Sequence, residues 1–337
     1  MLCHPLAVSS VISVLLPFRD AAATLHEAVS SVLEERTVPL EVIAVDDGSR
    51  DGGAAIVHAM GDPRVRVVRT EGVGIPRALN VGLAHARGAF IGRMDADDVS
   101  LPGRFPAQRA ALEAHPRVAA VGTRVSAFPD EHVGEGLRRY VAWMNEVITP
   151  EDHVRELFVE APLCHPSVLM RREALTAVDG YRHHDGPEDY DLWLRLHAAG
   201  HALAKVPEVL LRWRHHPSRA TLTDERYSLE RFAPTKAPHL ARAIGGRSVW
   251  MWGAGKTGKH LARALEAHGV RAERWIDIDP RKIGGVARGA PIVGPSAITR
   301  GEALIVVAVG ARGARQEVRS HLVGRGLVEG EDFVCAS

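Results

Sequence analysis

Three cysteines, Cys3, Cys164 and Cys335, are all the chain contains, and no two of them stand in a C-x-x-C spacing. That excludes a disulfide framework and a structural zinc site, and it fits a reducing, cytoplasmic compartment. Lysine is scarce too: of 42 basic residues only Lys205, Lys236, Lys256, Lys259 and Lys282 are not arginine. An excess of either charge is missing, with 42 Lys plus Arg against 41 Asp plus Glu, so no long-range field recommends a nucleic-acid partner. Any polyanion site has to be local. Apolar runs are short: the longest, residues 8–18 and 303–309, fall well below the roughly 20 residues that cross a bilayer. No basic stretch followed by a cleavage site opens the chain, so neither secretion nor membrane spanning is expected.

What is present is a globular balance, 46% apolar and 25% charged over 337 residues, which favours two domains, each able to bury a core. Apolar runs at 11–16 and 40–45 bracket helical spacing over 21–33. Helical patterns at 54–60 and 75–86 then alternate with strand patterns at 65–69 and 89–94. Such alternation predicts a parallel sheet wrapped by helices, with ligands at the carboxyl ends of the strands. Further strands are expected at 119–128, 167–171 and 209–214, and a helix at 190–199. Pro234, Pro238 and small residues interrupt the pattern at 232–239. The expected division is therefore a domain over 1–232, a linker over 233–245 and a second domain over 246–337. The second domain has a shorter pattern: strands at 248–252, 272–278 and 303–309, with helices at 256–268 and 314–327.

Polar residues cluster where strands end. Asp95, Asp97 and Asp98 crowd past an apolar strand, and like charges so close repel unless a cation neutralises them. A divalent ion, Mg²⁺ or Mn²⁺, is implied, since such ions take one or two carboxylates and leave positions for waters and substrate phosphates. The bland alternative is a solvated turn that caps the next helix. Asp46-Asp47-Gly48-Ser49 follows another strand, and Pro17-Phe18-Arg19 ends its neighbour. The two turns should be adjacent, and their short polar side chains suit a nucleotide base and ribose. An Asx-type turn is the other reading of D-D-G-S. Pro187-Glu188-Asp189-Tyr190-Asp191 has the make-up of a helix start; alternatively Asp189 faces a cleft and removes a proton from an incoming hydroxyl.

The stretches V-I-S-V-L-L-P-F, V-D-D-G-S, A-L-N-V-G-L-A-H-A-R-G, R-M-D-A-D-D, H-P-S and E-D-Y-D-L-W occur in the order seen in family 2 glycosyltransferases, and the resemblance covers about residues 9–232. It implies a GT-A fold, a mixed α/β sheet of Rossmann-like character, and inverting transfer of a sugar from a nucleotide-diphosphate sugar, most commonly a UDP-sugar. Position by position, Pro17, Phe18, Arg19, Asp46, Asp47, Ser49 and Asp95 resemble the family's nucleotide-sugar site, and Arg77 and Arg93 are candidates for charge beside the phosphates. Asp95 and Asp97 match its D-x-D motif, with Asp97 as the expected direct metal ligand and Asp98 adjoining it. Asp189 matches the catalytic base, with Glu188 beside it. His165 lies in the H-P-S stretch on the acceptor side, and His216 is placed where some relatives put a histidine near the metal or diphosphate. The acceptor implied is a glycan or lipid-linked intermediate of a surface polysaccharide, so the membrane would be approached only peripherally. Self-association stays open.

Gly253-Ala254-Gly255-Lys256-Thr257-Gly258 follows a strand and opens a helix, and Asp277 lies 22 residues beyond Gly255. Gly253, Gly255, Gly258 and Asp277 thus form a dinucleotide fingerprint. With only about 90 residues after the linker, this is one mononucleotide half of a full Rossmann domain. It resembles small Rossmann-like domains appended to some bacterial glycosyltransferases, and either ligand binding or a scaffold or dimerisation role fits. Two rival functions follow: an NAD(P)-dependent oxidoreductase centred on this turn, and a non-catalytic nucleotide-sugar-binding protein.

Overall fold

The structure, a computed structural model, describes residues 11–337. They form two compact units. The first takes in the described residues up to His153, then Pro162–His184 and Arg195–Arg219; the second comprises Val154–Ala161, Asp185–Leu194 and Ala220–Ser337.

Unit 1 is built on an eight-stranded mixed sheet: β1 (Ile12–Phe18), β2 (Leu40–Asp47), β3 (Val65–Thr70), β4 (Phe90–Arg93), β5 (Val99–Ser100), β6 (Val118–Phe128), β7 (Leu169–Arg171) and β8 (Ala202–Arg214). Their order across the sheet is β3-β2-β1-β4-β7-β6-β8-β5. Every residue of β1, β2 and β4 is buried, as expected of central parallel strands covered on both faces, which read as continuous apolar runs. The helix Ala22–Leu33 buries Leu25, Ala28, Val29, Val32 and Leu33, one stripe at helical spacing. Parallel register sets Phe18 beside Asp46 and Leu15 beside Arg93, so the carboxyl ends of β1, β2 and β4 open at one edge. The sheet is not wholly parallel, because β7 runs antiparallel to both β4 and β6. The two-residue β5 pairs antiparallel with β8, Val99 opposite Arg212, and so folds the turn after β4 back against the end of β8.

Unit 2 has six strands: β9 (Val249–Trp252), β10 (Arg274–Ile276), β11 (Val286–Ala287), β12 (Ala290–Val293), β13 (Leu304–Val307) and β14 (Phe333–Cys335), in the order β11-β12-β10-β9-β13-β14. All pairings are parallel except β11 with β12. The parallel strands read 3-2-1-4-5 in chain order, a doubly wound arrangement whose switch point lies between β9 and β13.

Residues 233–245, expected as a linker, instead lie almost wholly within the helix Leu229–Ile244, which contains both Pro234 and Pro238. Its apolar face explains the correction: Ala233, Ala237, Leu240 and Ile244 are buried, and tertiary burial outweighs the missing backbone donors of two prolines. Lys236 on the same helix, 4% exposed, donates to the carbonyls of Phe158, Val159 and Ala336 at 2.7, 2.8 and 3.1 Å, tying three parts of unit 2 together.

Candidate active site

The turns after β1 and β2 are cross-tied. Asp20 N donates to Ser49 Oγ (3.1 Å), Arg50 N to Asp20 Oδ1 (2.8 Å) and Ala22 N to Asp51 Oδ2 (2.7 Å). The two turns expected to be neighbours are therefore neighbours. Asp46 Oδ1 accepts from Ser49 N at 2.8 Å, three residues on, one residue further than an Asx turn reaches. Asp47 reaches the other way: it accepts from Thr70 Oγ1 (2.6 Å), Val73 N (2.7 Å) and Gly74 N (2.9 Å). Burial opposes ionisation of Asp47, but those three donors and the Arg19 guanidinium hold its carboxyl below the usual range. It therefore shapes the 70–74 loop. Gly48, with φ of 80°, could not carry a side chain here without pressing on Gly72 N, 3.1 Å from where a Cβ would stand. Pro17 is buried and pairs with Val45. Phe18 belongs to the core, its ring against Gly53, while Arg19 is exposed with its guanidinium beside Gly72. Arg77 stands exposed on the helix Ile75–His85, away from the ion pairs of the acidic cluster among the described residues.

At the end of β4, oxygens of Asp95, Asp97 and Asp98 come within 4.8 Å of one another. Each is anchored differently. Asp95 is held between the guanidinium groups of Arg93 and Arg219, the latter at 3.2 Å. Burial works against its charge, yet those two cations keep its carboxyl below the ordinary value. Asp97 Oδ2 lies 3.0 Å from His216 Nε2, whose Nδ1 is 3.0 Å from Ser218 Oγ. Asp98 is fully buried and accepts from Arg214 N at 2.7 Å. Burial, aided by the Asp95 and Asp97 charges and opposed by Arg219, pushes its carboxyl well above the normal range. Thr24 Oγ1 donates to the Ala96 carbonyl at 2.9 Å and Arg214 Nε to the Asp97 carbonyl at 2.6 Å, so both flanks of the turn are fastened.

This donor set fits a hard divalent cation. It offers carboxylate oxygens from three side chains, with the His216 imidazole beside Asp97 and outside the converging set, and Asp98 Oδ2 is a buried acceptor with no hydrogen-bond partner among the described residues, a state that buried polar atoms rarely keep. Beneath the turn, the buried Arg104 donates through Nη2 to the carbonyls of Arg93 (2.8 Å) and Pro166 (2.7 Å). His165, also buried, places Nε2 3.1 Å from the Tyr181 hydroxyl.

Glu188 and Asp189 open the helix Glu188–Ala198 and belong, up to Leu194, to unit 2. They differ sharply. Glu188 is 2% exposed and accepts from the Tyr227 hydroxyl at 2.7 Å, whereas Asp189 is partly exposed, with Oδ1 accepting from Tyr190 N at 2.7 Å. Of the two, Asp189 is the carboxylate an incoming molecule can reach.

In unit 2 the three glycines of the fingerprint divide their roles. A Cβ on Gly258 would stand 1.9 Å from Gly253 O, and one on Gly253 2.4 Å from Ala308 O, so both are closed by backbone. A Cβ on Gly255 would meet nothing within 4 Å. Asp277 Oδ2 accepts from Ala254 N (3.0 Å) and Lys282 Nζ (2.9 Å), and Oδ1 from Asp279 N (2.9 Å).

Arg219, Arg104 and Tyr181 were not singled out by the sequence. Arg219 carries the one usable local signal, three residues after His216; its partner Asp95 is 124 residues away.

A mixed α/β sheet with paired acidic turns at its strand ends is the arrangement of the GT-A fold. Comparison with known proteins agrees: residues 13–178 match the family described as Glycosyl transferase family 2. The amylovoran biosynthesis glycosyltransferase AmsE of Erwinia amylovora is 31% identical over 199 residues, 58% of this chain and 72% of its own. The putative glycosyltransferase EpsE of Bacillus subtilis is 30% identical over 226 residues, 65% of this chain and 78% of its own. The S. aureus TarS fragment 1-349 crystallised with UDP-GlcNAc shares the fold, with a TM-score of 0.56 at 17% identity over 76% of this chain and 72% of its own. The chain belongs to glycosyltransferase family 2 and is a glycosyltransferase. No helix among the described residues is long and apolar enough to cross a membrane.

Proposed function

We propose that the enzyme transfers a sugar, with inversion, from a nucleotide-diphosphate sugar to a hydroxyl of a glycan or lipid-linked acceptor. UDP is the nucleotide that the family resemblance implies, and the cytoplasm is the expected compartment. The observation that carries this reading is the acidic cluster, in which three carboxylates, two arginines and His216 meet at the strand ends of unit 1. Asp97, Asp95 and His216 would hold Mn²⁺ or Mg²⁺, and a cation bound there would neutralise the diphosphate as it departs. Arg93 and Arg219 keep Asp95 ionised. The cross-tied turns bearing Pro17, Arg19, Asp46 and Ser49 take the base and ribose, with Asp47 setting the adjoining loop. Asp189 accepts the proton of the attacking hydroxyl, and one displacement inverts the anomeric centre. Glu188, fixed by Tyr227, steadies the start of that helix. The AmsE likeness supports a role in surface polysaccharide assembly; a lipid-linked acceptor would bring the enzyme to the membrane periphery.

The test pairs two variants. Asp97→Ala should abolish Mn²⁺ binding and transfer together, while Asp189→Asn should abolish transfer yet leave UDP and Mn²⁺ binding intact. Full turnover by Asp189→Asn would refute the assigned base, and nucleotide binding without turnover by the wild type would favour the non-catalytic alternative.

A nucleotide site in unit 2 is the second reading, favoured by the open space at Gly255 between two glycines closed by packing. Gly253, Gly255, Gly258 and Asp277 would form it. If it exists, NAD should raise the thermal midpoint of the wild type by mass action, and Gly255→Asp should remove that rise. Sensitivity of turnover to this variant and dependence on NAD(H) would point instead to the oxidoreductase.

A further inference from the structure

The carboxylate of Asp189 is held by the residue that follows it, since the Tyr190 amide donates to Asp189 Oδ1 at 2.7 Å. Tyr190 is itself fully buried, and its side chain is gripped from three directions. The hydroxyl donates to the Leu157 carbonyl at 2.8 Å, and the ring meets Phe232 at 5.6 Å between centroids. Over the ring lies the Lys236 ammonium, 5.8 Å from the centroid, within the range of a cation–π contact.

Lys236 uses its three donors on the same surroundings. Two of its acceptors, the carbonyls of Phe158 and Val159, adjoin the Leu157 carbonyl that Tyr190 takes. The third, Ala336, directly follows β14, and its own amide donates to Val307 O at the end of β13. Arg319 adds a second tie between the same segment and the second sheet's elements, pairing with Glu156 at 2.9 Å and Glu329 at 2.8 Å. Every one of these residues belongs to unit 2. A buried ammonium is a weak source of stability, because losing its water offsets much of what its contacts return. What it does supply is direction, since three carbonyls and a ring fix where it stands.

We propose that Lys236 and Tyr190 are positioning residues for the base: they mount Asp189 at the carboxyl edge of the second sheet, which thereby serves the transfer reaction as a scaffold. The role rests on the assignment of Asp189 as the base. A base displaced by about 1 Å loses up to about a hundredfold in rate, and the loss falls on turnover and not on donor binding.

The test uses the full chain with Mn²⁺ and follows nucleotide release from a panel of UDP-, dTDP- and GDP-sugars, with water as the acceptor. Tyr190→Phe keeps the ring and deletes the hydroxyl; Lys236→Met deletes the ammonium, and Tyr190→Phe decides alone should that variant not fold. In each, kcat should fall about tenfold while donor KM and UDP affinity stay at the wild-type values. Hydrogen exchange at the amide of residue 190 should quicken in both, a readout that does not depend on turnover. Ile292→Val, a core change on β12 at the other side of the sheet from β14, controls for general destabilisation and should alter neither. Unchanged amide exchange in Tyr190→Phe, an undiminished kcat, or a loss matched by Ile292→Val overturns the positioning role and leaves the base assignment standing. Release by Asp189→Asn as fast as by the wild type overturns the base assignment, and the positioning role with it.

Discussion

Arg219→Met keeps a long apolar side chain and deletes its charge, which tests how the acidic cluster is neutralised. The Arg219 side chain is 7% exposed and lies 3.2 Å from Asp95 Oδ2. At about 4 Å and an effective dielectric near 20, a unit pair is worth about 4 kcal/mol, and removing one partner of a buried pair costs about 3–5 kcal/mol. Two features reduce that: Arg93 still pairs with Asp95, and burial pushes the Asp98 carboxyl well up, which lessens the charge Arg219 has to offset. The expected loss is about 2–3 kcal/mol, a fall of about 4–12 °C in the melting temperature of a domain of this size. Thermal unfolding followed by near-ultraviolet circular dichroism, once in EDTA and once in saturating Mn²⁺, is the assay. A divalent cation supplies the positive charge that Arg219 took with it, so Mn²⁺ should close at least half the deficit. Mn²⁺ should also bind the variant more tightly, about tenfold for each 1.4 kcal/mol of repulsion removed. A deficit equally large in both buffers, or weaker Mn²⁺ binding by the variant, would refute the premise that cation and guanidinium serve the same carboxylates.

Other expectations follow from single contacts. Gly258→Ala should destabilise unit 2 by about 3 kcal/mol or more, given the 1.9 Å approach to Gly253 O, whereas Gly255→Ala should cost under about 1 kcal/mol; equal losses in denaturant melts would contradict the packing argument. Burial lowers the Lys236 ammonium from 10.5 to about 7, despite the opposing Glu160 charge. The unfolded chain therefore binds more protons between those values, and stability should rise with pH above about 7. Urea melts of wild type and Lys236→Met should accordingly diverge as pH climbs from about 6 to 8.5, and a constant gap would show that Lys236 does not titrate there. Asp47→Asn replaces a carboxylate that takes three donors with an amide that cannot, at a cost of about 1–3 kcal/mol. The amides of Val73 and Gly74 should then exchange faster, and unchanged protection would count against Asp47 as the anchor of that loop.

The elements legible in the sequence were those with a simple period. β1 and β2 are unbroken apolar runs, and the helix Lys256–Glu266 follows its glycine turn as expected. β8 was anticipated only from residue 209 but begins at Ala202, because Lys205 and Glu208 interrupt the apolar pattern while Lys205 is in fact buried, donating to the carbonyls of Met144 and Pro162. The helix Arg104–Ala114 was missed because its buried face includes Arg104 and Gln108, which look like surface residues until their partners are known. The acidic motif was plain because its members are adjacent in sequence. Its counter-charge was not, since Arg219 and Asp95 meet only after 124 residues have folded.

The bracing of the first two loops has a kinetic corollary. With Ser49, Asp20 and Asp51 clasping backbone amides across the gap between strands, a visiting nucleotide need not freeze either loop on arrival. Its capture should therefore proceed in a single fast phase, and severing the clasp with Asp51→Ala should surface as a slower, temperature-sensitive association before any effect on the chemical step.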